Sequence, residues 1–153
     1  MSEHDSIMMT NRQGKTLSVQ INGPENAPAI VFSNSLGTDH GMWQPQVAAL
    51  KSQYRVVTYD TRGHGQSDVI ENTTLQNLGE DVIDILDALN IEKAHFCGIP
   101  MGGMTALWLG IHQSQRFNSI TVANSAAKIW TVEGWNARAD TVEAVSYTHL
   151  RAH

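Results

Sequence analysis

The chain has 153 residues, 41% of them hydrophobic, a formal net charge of −5 and a single cysteine, Cys97. That length supports one domain with a real core. The negative charge and the lack of basic runs interleaved with aromatics argue against a nucleic-acid partner, and one cysteine excludes an intrachain disulfide and suits a reducing compartment.

The segment Met1–Asp5 is polar and acidic, unlike a signal peptide, and no apolar run approaches membrane-spanning length. A cytoplasmic protein with no membrane partner is therefore expected. Ser6–Thr10 and Lys15–Ile21 read as two short strands, with Asn11-Arg12-Gln13-Gly14 supplying hairpin chemistry between them. Asn22–Pro28, with its prolines, glycine and asparagines, reads as a loop. Ala29–Ser33 is a continuous apolar run, as expected of a strand buried on both faces. A Gly-containing loop follows, then a helix over Trp43–Ser52 with Pro45 tolerated in its first turn. Arg55–Asp60 is the next buried strand. Leu75, Leu78, Val82, Ile85, Leu86 and Leu89 recur at three- and four-residue steps, predicting an amphipathic helix with Glu80, Asp81, Asp84 and Asp87 mainly on its solvent side. Ala94–Cys97 reads as a strand, Met101–His112 as a helix, Ser119–Ala123 as a strand and Glu133–Val142 as a further helical stretch. Strands alternating with helices imply βαβ units and a mainly parallel sheet, an α/β class.

The chemistry concentrates at strand ends. Gly98-Ile99-Pro100-Met101-Gly102-Gly103 links a strand to a helix through a Gly-flanked turn, the context of the G-x-S-x-G nucleophile elbow. The glycines allow close strand–helix packing while the turn lifts the central side chain above the sheet. That central residue is Pro100, which has no hydroxyl, no backbone N–H and a fixed φ near −65°. An elbow residue usually sits in a strained, positive-φ conformation. A generic tight turn is the competing reading; a dinucleotide fingerprint is disfavoured because the spacing is G-x-x-x-G-G and no acidic residue closes a following strand.

Asn34-Ser35-Leu36-Gly37-Thr38-Asp39 leaves the third strand, where such folds take one oxyanion-hole N–H; the residue after the nucleophile supplies the other. Leu36 and Met101 are the two candidate backbone donors, against the plainer reading of an ordinary polar turn. Asp60-Thr61-Arg62-Gly63-His64-Gly65-Gln66-Ser67-Asp68 is a third signal. His64 comes too early for a triad base, whose order in this fold is Ser, acid, His. Asp60, Arg62 and His64 are expected to hold the turn by local hydrogen bonds. His95 reads as a satisfied core or boundary residue, and His112 closes a helix where imidazole suits the dipole. No Cys/His/carboxylate cluster has metal-ligand spacing, so no metal is expected.

These segments resemble the 3-oxoadipate enol-lactonase group of the α/β-hydrolases. The resemblance rests on Ser33–Asp39, Tyr59–Gly65, and Asn124-Ser125-Ala126-Ala127-Lys128-Ile129 continuing to Glu133-Gly134-Trp135-Asn136-Ala137-Arg138. Asp60-Thr61-Arg62-Gly63-His64-Gly65 is shared by many hydrolases; Asn34-Ser35 in place of the commoner His-Gly is more specific, and the last pair is the most specific. The likeness runs from about Ser6 to Val142. It implies hydrolytic opening of an enol-lactone in aromatic-acid catabolism by serine acyl transfer, with no cofactor and a small-molecule lactone carboxylate as substrate. A cation near the pocket is then expected; Arg138, with Trp135 beside it, is the candidate, and a solvated helix face is the competing reading for Arg138. Another hydrolase of the same fold (an esterase, perhydrolase or dehalogenase) is the alternative activity. A non-catalytic hydrolase-fold fragment is the alternative class.

The sequence departs from the group in three ways. Pro100 stands where serine is expected, and the two codons differ by one base. The fold expected is the N-terminal part of an α/β-hydrolase, a mostly parallel sheet with flanking helices, ending before the cap and the last strands that would bring the acid and the histidine. Residues 1–144 are expected to form this partial domain. Val145–His153 does not resemble the group; it reads like a translated sequencing adaptor and is expected to be disordered.

Overall fold

The structure, a computed structural model, describes residues 4–128 and 131–144. The tail predicted over 145–153 lies outside the described residues. Strands β1 (His4–Thr10) and β2 (Thr16–Asn22) form the expected hairpin, paired antiparallel from His4↔Asn22 to Thr10↔Thr16. Then come β3 (Ala29–Ser33), a 3-10 turn at His40–Trp43 running into α1 (Gln44–Leu50), and β4 (Arg55–Tyr59). Pro45 sits in the first turn of α1, where its missing N–H would have had no intrahelical partner. The remaining elements are α2 (Leu75–Ala88), β5 (Ala94–Gly98), α3 (Met101–His112), β6 (Phe117–Val122) and α4 (Val132–Ala144).

The six strands make one sheet in the order β1-β2-β4-β3-β5-β6, parallel from β4 through β3 and β5 to β6. Successive side chains of a strand point to opposite faces, and the core divides accordingly. Val31 and Val57 join Val82, Ile85 and Leu86 of α2 and Ala106 and Leu109 of α3 on one face. Phe32 and Val56 pack with Trp43 and Val47 on the other, where Phe32 and Trp43 stack at 4.5 Å between ring centroids.

From β3 the chain turns to one side, through α1 to β4; from β5 it turns to the other, through α3 to β6. The sheet's direction of winding therefore reverses between β3 and β5. The crevice outside the carboxyl ends of strands at such a switch point is where open α/β sheets bind ligands. Ser33 and Gly98 are register partners at those two ends, so the loop after β3 and the turn after β5 leave the sheet side by side.

α2 starts with a capping box. Thr74 Oγ1 accepts from Asn77 N, and Asn77 Oδ1 accepts from Thr74 N, satisfying two otherwise orphaned donors. Its acidic residues do not all face solvent as expected. Asp81 is 2% exposed and forms a two-pronged ion pair with buried Arg62, Nε to Oδ2 at 2.7 Å and Nη2 to Oδ1 at 2.8 Å. A helical wheel places Asp81 at the border of the polar arc; the partner that draws it inward is 19 residues away in sequence. At the sheet's far side, among the described residues, β6 pairs with β5 alone, and Asn118, Ser119 and Thr121 are exposed along it.

Candidate active site

The turn after β5 is shaped by steric demand. A Cβ on Gly98 would collide with the backbone of Gly102, and a Cβ on Gly102 with the backbone of Ser33. These absent side chains let the start of α3 sit directly over the ends of β3 and β5. Two backbone bonds then join the turn to the neighbouring strand end: Ile99 N to Ser33 O at 3.2 Å and Gly102 N to Asn34 O at 3.1 Å. Pro100 occupies the apex as the residue before α3, at φ −30° and ψ −62°. Its φ is negative, as the pyrrolidine ring requires, and lies to the less negative side of the ring's usual value near −65°. Among the described residues the non-glycine positions with positive φ are Asn72, Asn90 and Asn124, so the apex lacks the strained geometry of a working elbow.

The loop after β3 is held instead by buried polar side chains. Asn34 is fully buried; its Nδ2 donates to Tyr59 O at 3.0 Å and its Oδ1 accepts from Trp43 Nε1 at 2.8 Å. Ser33 Oγ and Tyr59 OH share a buried bond at 2.8 Å, and burial pushes the Tyr59 phenol well above its ordinary range, so it stays protonated. Leu36 and Met101, the candidate oxyanion donors, flank this junction. Neither backbone N–H has an acceptor among the described residues.

The turn that follows β4 ties into the same loop. Asp60, buried to 1%, accepts His40 N at 2.9 Å, His40 Nδ1 at 2.8 Å and Gln66 N at 2.9 Å. His64 donates from Nδ1 to Arg62 O at 3.1 Å and accepts Gly37 N at Nε2 at 2.8 Å, an arrangement that needs the neutral imidazole. The bonds expected to be local are mostly long-range. Asp60 and His64 reach the loop after β3, while Arg62 reaches α2 and Gln13. Both ring nitrogens of His64 are thus engaged in tying this turn to the loop after β3.

Trp135 and Arg138 lie three residues apart on α4, and so share one helix face; Trp135 is 37% exposed and Arg138 half-buried. They stand on a different element from Leu36, Pro100 and Met101, which the switch point gathers. His95 bonds Ser119 Oγ at 2.7 Å and His112 stacks on Trp108 at 4.7 Å, both away from the turn. Sequence reasoning missed Thr38 and Ser125. Thr38 Oγ1 donates to Ser35 O at 2.6 Å, and Ser125 Oγ donates to Pro100 O at 2.6 Å. The spacing of Thr38 from Ser35 is a recognisable hydroxyl-turn signal; Ser125 falls in a segment that carries the resemblance, but no local spacing marks its contact with the apex, which it reaches from beyond β6.

A family model described as the alpha/beta hydrolase fold matches residues 28–145. The chain is 85% identical to 3-oxoadipate enol-lactonase 1 of Acinetobacter baylyi, over 99% of this chain and 59% of that protein. It is 49% identical to 3-oxoadipate enol-lactonase 2 of the same organism, over 84% of this chain and 48% of that protein. Among solved structures, an enol-lactonase from Burkholderia xenovorans superposes with a TM-score of 0.89 at 41% identity, covering 94% of this chain and 56% of that one. A hydrolase from Pseudomonas aeruginosa gives a TM-score of 0.90 at 36% identity, covering 97% and 57%. The chain thus spans only about half to three fifths of the relatives it matches.

Proposed function

The chain belongs to the alpha/beta hydrolase fold family, and on that premise we propose that it is the nucleophile-side portion of a hydrolase that opens 3-oxoadipate enol-lactone to 3-oxoadipate. The observation that carries the reading is the 85% identity to 3-oxoadipate enol-lactonase 1. The switch-point geometry supports it, because the Leu36 and Met101 backbone N–H groups, which have no acceptor among the described residues, lie beside the turn from which a nucleophile would attack.

In this reaction a serine hydroxyl adds to the lactone carbonyl and the carbonyl oxygen becomes an oxyanion. Leu36 and Met101 N–H are the donors proposed to meet that charge. Such donors act mainly in the transition state, and losing one typically lowers the rate by ~10²–10³. Arg138 is proposed to pair with the substrate carboxylate, with Trp135 packing beside it. No cofactor takes part, and the setting is cytoplasmic; no described helix is long and apolar enough to cross a membrane. Pro100 cannot perform the attack. The chain as it stands is therefore expected to leave the lactone unhydrolysed.

The test joins residues 1–144 to the C-terminal part of the Acinetobacter baylyi relative, with and without Pro100→Ser. Enol-lactone turnover is expected only when both changes are present, and Pro100→Ser in the unjoined chain should give no acyl-enzyme burst. A joined, folded Pro100→Ser protein that cleaves simple esters but ignores the lactone would overturn the substrate assignment and favour a general esterase.

A further inference from the structure

We propose that Thr38 and Ser125 are positioning residues for the two candidate oxyanion donors, each acting through the carbonyl of the peptide unit whose N–H it aims. The inference rests on the reading of Leu36 and Met101 given above and extends it to two residues to which the sequence motifs assign no role.

Leu36 N–H belongs to the peptide unit whose carbonyl is Ser35 C=O. Met101 N–H belongs to the unit whose carbonyl is Pro100 C=O. In a planar trans peptide the carbonyl and the N–H point in opposite directions, so fixing the oxygen fixes the direction of the hydrogen. Both oxygens are held in the same way. Ser35 O accepts Thr38 Oγ1 at 2.6 Å and Thr38 N at 3.3 Å. Pro100 O accepts Ser125 Oγ at 2.6 Å and Met104 N at 3.1 Å. In each unit a short hydroxyl bond adds to one backbone bond. Thr38 Oγ1 also lies 3.2 Å from Met42 Sδ, a weaker acceptor than the carbonyl. Thr38 comes from the loop after β3 and Ser125 from the segment after β6, so one device is built from two unrelated parts of the chain.

A carbonyl that accepts two hydrogen bonds draws electron density along the peptide and makes its own N–H a stronger donor. In chains of hydrogen bonds this strengthening is about 10–30% per bond. The hydroxyls thus orient each N–H and also polarise it toward the charge that forms only in the transition state.

The test is nuclear magnetic resonance on the full chain, which needs neither a nucleophile nor turnover. Ser125→Ala is expected to move the Pro100 carbonyl carbon and the Met101 amide proton upfield while leaving Leu36 in place. Thr38→Val should do the same to Ser35 and Leu36 and spare Met101. Ser125→Thr and Thr38→Ser, which keep the hydroxyl, should return both signals toward their original positions. If Ser125→Ala does not fold, Ser125→Cys supplies a weaker donor and should give a partial shift of the same sign. Unmoved Met101 and Leu36 amides in the hydroxyl-free variants, or shifts spread equally over both units, would overturn the proposal. Absence of lactone turnover in the joined protein, with these selective shifts intact, would instead count against the substrate reading alone.

Discussion

The two halves of the candidate site are held by different physics. The loop after β3 depends on buried polar side chains: Asn34 bridging Tyr59 and Trp43, Asp60 gathering His40 and Gln66, and His64 on Gly37. The turn after β5 depends on missing side chains, with Gly98 and Gly102 admitting the start of α3 to the strand ends. The first half fails when a partner is deleted, because a buried polar group is left unpaired. The second fails when an atom is added, because packed backbones have nowhere to go. A carbonyl-directed hydroxyl, Thr38 in one and Ser125 in the other, is the feature they share.

The largest effect is expected where the polar half is anchored to α2. Arg62→Ala leaves Asp81 as a buried carboxylate without its counter-ion, still accepting Asn11 Nδ2 at 2.9 Å, and should cost about 3–5 kcal/mol in urea unfolding, enough to unfold a marginal chain. The comparison is sharpened by replacing both partners, Arg62→Met with Asp81→Leu. That pair should recover most of the loss, since removing both charges also removes their desolvation cost. A double variant as unstable as the single one would show that the geometry of the turn, not the stranded charge, was decisive.

Next comes the steric half. Gly102→Ala places a methyl group against the backbone of Ser33, which cannot swing away as a flexible side chain could. A loss of about 3 kcal/mol is expected, at the upper end for overpacking. Asn34→Ala should follow at about 2 kcal/mol, because it strands the Trp43 indole N–H and the Tyr59 carbonyl in the interior. Denaturant midpoints for the two variants test the division directly. A harmless Gly102→Ala would mean that α3 can lift from the sheet, and the distinction between the halves would break.

How much of this was legible in the residues follows the same division. Elements governed by local pattern were readable: β3 and α3 fall at Ala29–Ser33 and Met101–His112, as their apolar run and Gly-flanked turn predict. The steric half was readable too, because closely spaced glycines between a strand and a helix have few other uses. The polar half was harder. Periodicity puts Asp81 with the mainly solvent-side acids because it reports which arc a residue occupies, and says nothing of a guanidinium folded back from another turn. Asp60 and His64 do hold bonds within the turn, to Gln66 N and Arg62 O, but each also reaches a partner 20 or 27 residues away, a distance that spacing rules do not span. Ser125 reaches Pro100 only because β6 runs beside β5, so its role exists in the topology and nowhere in the local sequence.

The smallest effect is expected outside both halves, on α4. This helix buries no residue, and Val132 at its start is 72% exposed. Truncating Val132 to Ala removes two methyl groups that already sit mostly in water, so little transfer free energy is lost. Alanine is also the better helix former, by a few tenths of a kcal/mol, because it has no χ1 freedom to lose against the preceding turn. The two small contributions oppose each other, and Val132→Ala should change stability by less than about 0.5 kcal/mol in either direction, the range typical of surface positions. Side-by-side urea melts with Asn34→Ala provide the scale. A loss above about 1 kcal/mol would mean that the start of α4 rests on an apolar partner that the exposure of Val132 does not reveal, and that the helix carrying Trp135 and Arg138 is seated more firmly than its surface suggests.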